Sequence, residues 1–265
     1  MGDARADPRV TGTAARVSWQ WGEVDAVGDG DDVELVHRRA RACLSVRAGR
    51  LVRGEGYLHA PAGARQELAR VGAIVRLRQR GRYLVHAAGA VDPSGRAWLL
   101  AGDSGSGKST LGYALSRAGW TSLGDDGVVI EQVADGFRAH AWRDPMRVSR
   151  ALDTAFPELR EMTTQPPLND PRQRLSLEVP MAARHVSVAA IVFLSRGERR
   201  AMHRLSAVAA LGALIRQSPW VIIEDAHAAR HLAALRDAAG LPVYQLEHTA
   251  AELHTIAKLL TEAAA

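Results

Sequence analysis

At 265 residues, 47% of them hydrophobic, the chain is long enough to bury a sizeable core as one large domain or two small ones. A single cysteine, Cys43, excludes an intramolecular disulfide framework and a metal cluster, and no apolar run approaches the ~20 residues of a membrane span. The formal net charge of +5 comes from arginines spread along the chain, which reads as solubility and attraction to a nucleotide or acidic partner rather than as a nucleic-acid footprint.

Residues 1–12 are polar and punctuated by Gly and Pro, and are expected to be disordered. Met1 is followed by acidic and polar residues with no signal-peptide pattern, so the cytoplasm is the expected compartment. From 15 to 60, short β-type runs such as 16–19, 33–36 and 56–59 alternate with turns, which predicts an antiparallel β unit. Trp19, Trp21 and Tyr57 are expected in its core or in cross-strand packing, not on a base-stacking surface. Residues 66–79 have a helical apolar stripe of Leu68, Val71, Ile74, Val75 and Leu77. Together 13–80 form a β-rich unit plus a helix, expected to pack on a catalytic domain spanning 81–265.

A strand is predicted over 83–91, then the turn Asp92-Pro93-Ser94-Gly95, then an apolar return strand over 97–101. Simple register pairs 91 with 96 and therefore 86 with 101. His86 then lies beside the segment that leaves Ala101, unless a bulge shifts the pairing by one.

That segment is Gly102-Asp103-Ser104-Gly105-Ser106-Gly107-Lys108-Ser109, the pattern G-x-x-x-x-G-K-[ST], with Thr110 next and a helical run to Ala118. A strand before the glycines and a helix after them is the context a phosphate-binding loop needs. The glycines let backbone N–H groups turn inward round phosphates, and the helix N-terminus adds partial positive charge. Lys108 would reach the β- and γ-phosphates of ATP, and the Ser109 hydroxyl would ligate Mg²⁺.

Residues 120–123 read as the next strand, parallel to 97–101, so both strand ends face the edge where open α/β sheets bind ligands. Asp125 and Asp126 come directly after it. Two carboxylates beside phosphates can hold Mg²⁺ or take a proton from an attacking hydroxyl. A hairpin is expected over 128–130 and 137–140, a helix interrupted by Pro157 over 149–162, and a mobile loop over 163–169. Arg172 and Arg174, near a short strand, are candidates to offset phosphate charge. Residues 188–194 read as a strand that turns at Arg196-Gly197 and returns over 202–205. Helices are predicted at 206–216 and 225–239, then a strand at 242–246. The capping box Thr249-x-x-Glu252 opens a last helix, whose Leu253, Ile256, Leu259 and Leu260 form a packing stripe.

His86, the run Gly-Asp-Ser-Gly-Ser-Gly-Lys-Ser-Thr at 102–110, Arg117-Ala118-Gly119-Trp120 and Leu123-Gly124-Asp125-Asp126 together resemble the catalytic domain of HPr kinase/phosphorylase. The match in residues covers about 83–131. The resemblance implies an α/β fold: a P-loop kinase domain of the HPr kinase / phosphoenolpyruvate carboxykinase type, here with an N-terminal antiparallel β unit. It implies ATP and Mg²⁺ as cofactors, with Gly105, Gly107 and Lys108 on the phosphates and Ser109 on the metal. It makes Asp125 the base that deprotonates a serine hydroxyl, with His86 close to it, and gives Asp126 the support of metal or base. Thr110 stands where that family has Glu, and its Arg-Gly-Leu-Gly segment has no counterpart. The chain is similar in size to short relatives that phosphorylate a serine on ribosomal precursor peptides, such as lasso peptides. The implied partners are a nucleotide and a peptide or protein with an acceptor serine, with neither nucleic acid nor membrane. That family commonly forms ring homo-oligomers. A kinase of a small hydroxylated metabolite and a non-enzymatic nucleotide sensor are the alternatives.

Overall fold

The computed structural model describes residues 17–28, 31–142, 145–161, 174–182, 185–223, 225–249 and 252–263. The predicted disorder at 1–12, the loop at 163–169 and Arg172 lie outside these residues. The fold is mixed α/β and divides into two compact units. The first is residues 1–79 with 224–227; the second is 80–223 with 228–265. Among the described residues no helix is long and apolar enough to cross a membrane.

The first unit is a five-stranded antiparallel meander: β1 (Val17–Trp21), β2 (Val24–Gly28), β3 (Val33–His37), β4 (Ala42–Arg47) and β5 (Arg50–Arg53), in that order, followed by α1 (Ala62–Gln79). The alternation in β3 buries Val33, Leu35 and His37 and turns Glu34 outward. Leu68, Val71, Ile74 and Val75 of α1 are buried. Gly72 allows the close approach: a Cβ there would lie 2.9 Å from side-chain carbons of both Leu44 and Leu51. The helix begins at Ala62, four residues before the predicted start, directly after Pro61, which suits a helix's first turn. Within this unit Arg78 pairs with Asp225. Trp21, paired across strands with Val24, is 41% exposed and so lies outside the core, and Cys43 is half-buried. Arg53 lies over the Tyr57 ring at 5.8 Å.

In the second unit the chain runs β6 (Arg82–Val85), β7 (Ala87–Val91), β8 (Ala97–Ala101), α2 (Lys108–Arg117), β9 (Thr121–Gly124), β10 (Val128–Val133), β11 (Gly136–Ala141), β12 (Met146–Ser149) and β13 (Arg174–Leu177). It continues with β14 (His185–Arg196), β15 (Ala201–Arg204), α3 (Ala207–Arg216), α4 (Ala228–Ala238), β16 (Val243–His248) and α5 (Leu253–Ala263). Among the described residues nine strands form one sheet, and β12 and β13 pair separately. β8 lies between β14, parallel to it, and β7, antiparallel. β9 is antiparallel to β7, so β8 and β9 run in the same direction with β7 interposed, and their C-terminal ends face one edge.

Both faces of β8 are covered, which is why its sequence is an unbroken apolar run. Ala97, Leu99 and Ala101 face a core with α3 and α4, while Trp98 and Leu100 face one with α2 and α5. Leu253, Ile256 and Leu260 of α5 are buried in that second core, so the stripe is internal packing.

Three expectations change. The run 83–91 is two strands broken at His86: β6 pairs with β10, whereas β7 pairs with β8 and β9. β15 does not return along β14; β16 is inserted between them, parallel to β14 and antiparallel to β15. The helix expected over 149–162 is two 3₁₀ turns, Arg150–Thr154 and Pro157–Arg160.

Candidate functional site

The site grows from the C-terminal ends of β8 and β9. In the β7–β8 hairpin Val91 pairs with Ala97 and Ala87 with Ala101, one residue off simple register. The Asp92 backbone N–H donates to the Arg96 carbonyl, and Trp98 Nε1 donates to the Asp92 carboxylate at 3.1 Å, which fixes the wider turn. His86 directly precedes Ala87, whose partner Ala101 is the last residue before the loop.

Between β8 and α2 the loop uses left-handed backbone at Gly102 (φ 144°), Gly105 (φ 87°) and Gly107 (φ 106°), conformations that side-chain-bearing residues avoid. Gly102 is also required for space, since a Cβ would lie 2.8 Å from the Leu194 carbonyl oxygen. Asp103, Ser104 and Gly105 are exposed, Ser106 and Gly107 half-buried. Lys108 is 7% exposed and curls back over the loop, its Nζ donating to the carbonyls of Gly102 (2.6 Å) and Asp103 (3.1 Å). Burial lowers its pKa; the negative charges of Asp126, Asp125 and Asp103 act the other way. Both carboxylates of the acidic pair therefore lie within electrostatic range of the loop lysine. Ser109 and Thr110, in the first turn of α2, are half-buried.

The acidic pair occupies the turn between β9 and β10. Gly124 (φ 149°) makes this turn possible: a Cβ there would lie 2.5 Å from the carbonyl oxygens of Gly127 and Trp142. The two carboxylates have different surroundings. Asp125 is 4% exposed. Its Oδ2 accepts the Arg147 backbone N–H at 2.9 Å, and the Ser109 hydroxyl lies against it, while Oδ1 has no hydrogen-bond partner. Burial raises its pKa, the Asp126 charge adds to this, and the Arg147 N–H bond, the nearby Ser109 hydroxyl and the Arg174 charge oppose it. Asp126 is half exposed, with Oδ1 3.3 Å from His86 Nδ1, which also lies 3.3 Å from the Asp126 carbonyl oxygen. A carbonyl can only accept, so Nδ1 carries the hydrogen. His86 therefore partners Asp126, not the Asp125 beside which the resemblance sets it.

An oxygen-only donor set suits Mg²⁺. The Ser109 hydroxyl and the orphaned Asp125 Oδ1 fit such an ion; the expected ligand Asp126 has its Oδ1 3.3 Å from His86 Nδ1. Arg174, on β13 opposite Ser149, lies within charge range of Asp125.

Two further residues touch the loop from distant sequence. Gln217, after α3, donates its Nε2 to Asp103 Oδ1 at 3.2 Å and accepts the His86 backbone N–H on its backbone carbonyl at 2.7 Å. His248, the last residue of β16, places Nε2 2.9 Å from the Ser106 carbonyl. No local motif marks either residue.

No protein-family model matches the chain, and no curated protein matches it by sequence. Among solved structures, the chain is similar to the Hpr(Ser) kinase/phosphatase from Coxiella burnetii, at 13% identity and a TM-score of 0.37, over 68% of this chain and 95% of that one.

Proposed function

We propose that the protein is an ATP-dependent phosphotransferase that phosphorylates a serine-type hydroxyl on a peptide or protein, in the manner of HPr kinase-like serine kinases. One observation carries this reading: a buried loop lysine, the first-turn Ser109 and two carboxylates meet at one sheet edge. The loop glycines and Lys108 hold the β- and γ-phosphates of ATP. Ser109 and Asp125 would hold Mg²⁺, which when bound neutralises charge on the phosphate oxygens. Asp126, exposed and oriented by the His86 Nδ1–H, takes the proton of the acceptor hydroxyl. That oxygen bonds to the γ-phosphorus, the bridging oxygen–phosphorus bond breaks, and ADP leaves. Arg174 stands near enough to Asp125 to share in balancing charge.

The test is incubation with γ-labelled ATP, Mg²⁺ and two acceptor pools, a serine-containing peptide library and a mixture of hydroxylated metabolites. Label on peptide, lost in Asp126→Asn, is expected. Label only on small molecules would make it a metabolite kinase, and tight ATP binding without turnover a nucleotide sensor.

A further inference from the structure

We infer that His248 is a positioning residue that holds the glycine-rich loop in its phosphate-receptive conformation from outside; its bearing on nucleotide binding rests on the function proposed above. A loop that binds phosphate through backbone N–H groups must turn its carbonyls away from the ligand. The Ser106 carbonyl is one of these, and it meets the His248 ring at 2.9 Å from Nε2. A carbonyl only accepts, so Nε2 carries the hydrogen and donates it. His248 is 4% exposed and its Nδ1 has no hydrogen-bond partner, so this single N–H···O contact is the ring's polar attachment among the described residues.

The ring also fills the space a side chain at the next residue would need. A Cβ on Gly107 would lie 2.8 Å from both Cε1 and Nε2 of His248. Gly107 is the residue from which α2 starts, at φ 106°. The histidine therefore fixes a carbonyl and closes one side of the turn that presents Lys108. Its own placement is rigid: Phe193 of β14 pairs with Ala101 of β8 and Arg196 of β14 with His248, and the Gly197 backbone N–H donates to the His248 carbonyl at 3.2 Å.

The experiment compares the wild type with His248→Gln, which keeps a donor near the Nε2 position, and with His248→Phe and His248→Leu, which do not. The first readout needs no ligand: hydrogen exchange of the Ser106 amide, which donates to the Asp103 carbonyl at 3.0 Å, and of the Leu111 amide, which donates to the Gly107 carbonyl at 2.8 Å. Loss of one hydrogen bond, worth about 1 kcal/mol, should speed their exchange about five- to tenfold in the donor-less variants, with Gln close to wild type. ATP affinity should fall by a similar factor in the same two variants. Unchanged exchange in Phe and Leu, or equal loss in Gln, would overturn the inference. If exchange shifts as expected while the wild type binds no ATP, the brace stands and the phosphotransferase reading fails. Nitrogen NMR of the wild type needs no variant: it should show His248 with Nε2 protonated and Nδ1 bare, and the opposite tautomer would refute the contact.

Discussion

Replacing Asp125 with Asn should make the protein more stable and less active at once. Asp125 is 4% exposed and has one carboxylate oxygen without a partner. Burial lifts its pKa above the ordinary carboxylate value, and the opposing hydrogen bonds and the Arg174 charge do not cancel this. A raised folded-state pKa means that the native state holds this proton more tightly than the unfolded chain does. The ionised group therefore weakens the fold at pH values above the unfolded carboxylate pKa of about 4, and the penalty disappears below it. Asn keeps the shape and an oxygen for the Arg147 N–H and removes the charge. A buried charged group short of partners costs more than a neutral one in the same place, so recovery of about 1 kcal/mol is reasonable. For a domain of this size that is a rise in Tm of about 2–4 °C. Calorimetry in chelator-treated buffer at pH 7 should show the rise, and the advantage should shrink as the pH falls from the raised folded-state pKa toward about 4 and be gone below it. Peptide phosphorylation should drop by about 100-fold or more, the scale expected when transition-state charge loses a partner. A lower Tm at pH 7 without metal would refute the reasoning, because it would mean that the ionised carboxylate stabilises the fold.

Three other outcomes rest on named contacts. Lys108→Met should weaken ATP binding at least about tenfold by calorimetric titration, because a charge-assisted contact is worth about 1.5–3 kcal/mol. His86→Gln should lower kcat with little change in ATP affinity, because the ring touches Asp126 and no loop atom is its partner in that contact; a loss confined to affinity would move His86 to the nucleotide side. Gly89→Ala should destabilise the protein by about 1–3 kcal/mol in urea titration through overpacking. The added Cβ would lie 2.7 Å from Val128 Cγ2 and 2.8 Å from Leu123 Cβ.

Much of the second unit's layout was legible because local chemistry dictates it. β8 is apolar on both faces, the glycines at 102, 105 and 107 adopt positive φ, and Gly124 allows the turn that carries Asp125 and Asp126. The features that were not legible are set by distant partners. No turn residue marks the break at His86: apolar runs continue on both sides of it while the chain exchanges β10 for β8 and β9 as neighbours. The insertion of β16 beside β14 is a parallel pairing that no turn signals. Gln217 and His248 reach the loop across 114 and 142 residues, so neither motif nor periodicity marks them. The contrast between a buried Asp125 and an exposed Asp126 depends on the Arg147 backbone and on His86, both outside the acidic pair's own segment.

The phosphoryl transfer proposed for this edge requires that the loop and Asp125 act on one and the same polyphosphate through a shared cation. Calorimetric titration of ATP with and without Mg²⁺, into the wild type and Asp125→Asn, measures that coupling directly. Mg²⁺ should strengthen ATP binding to the wild type, and most of this gain should be lost in the variant. An equal gain in both proteins, or no ATP binding by the wild type, would contradict the shared-cation site.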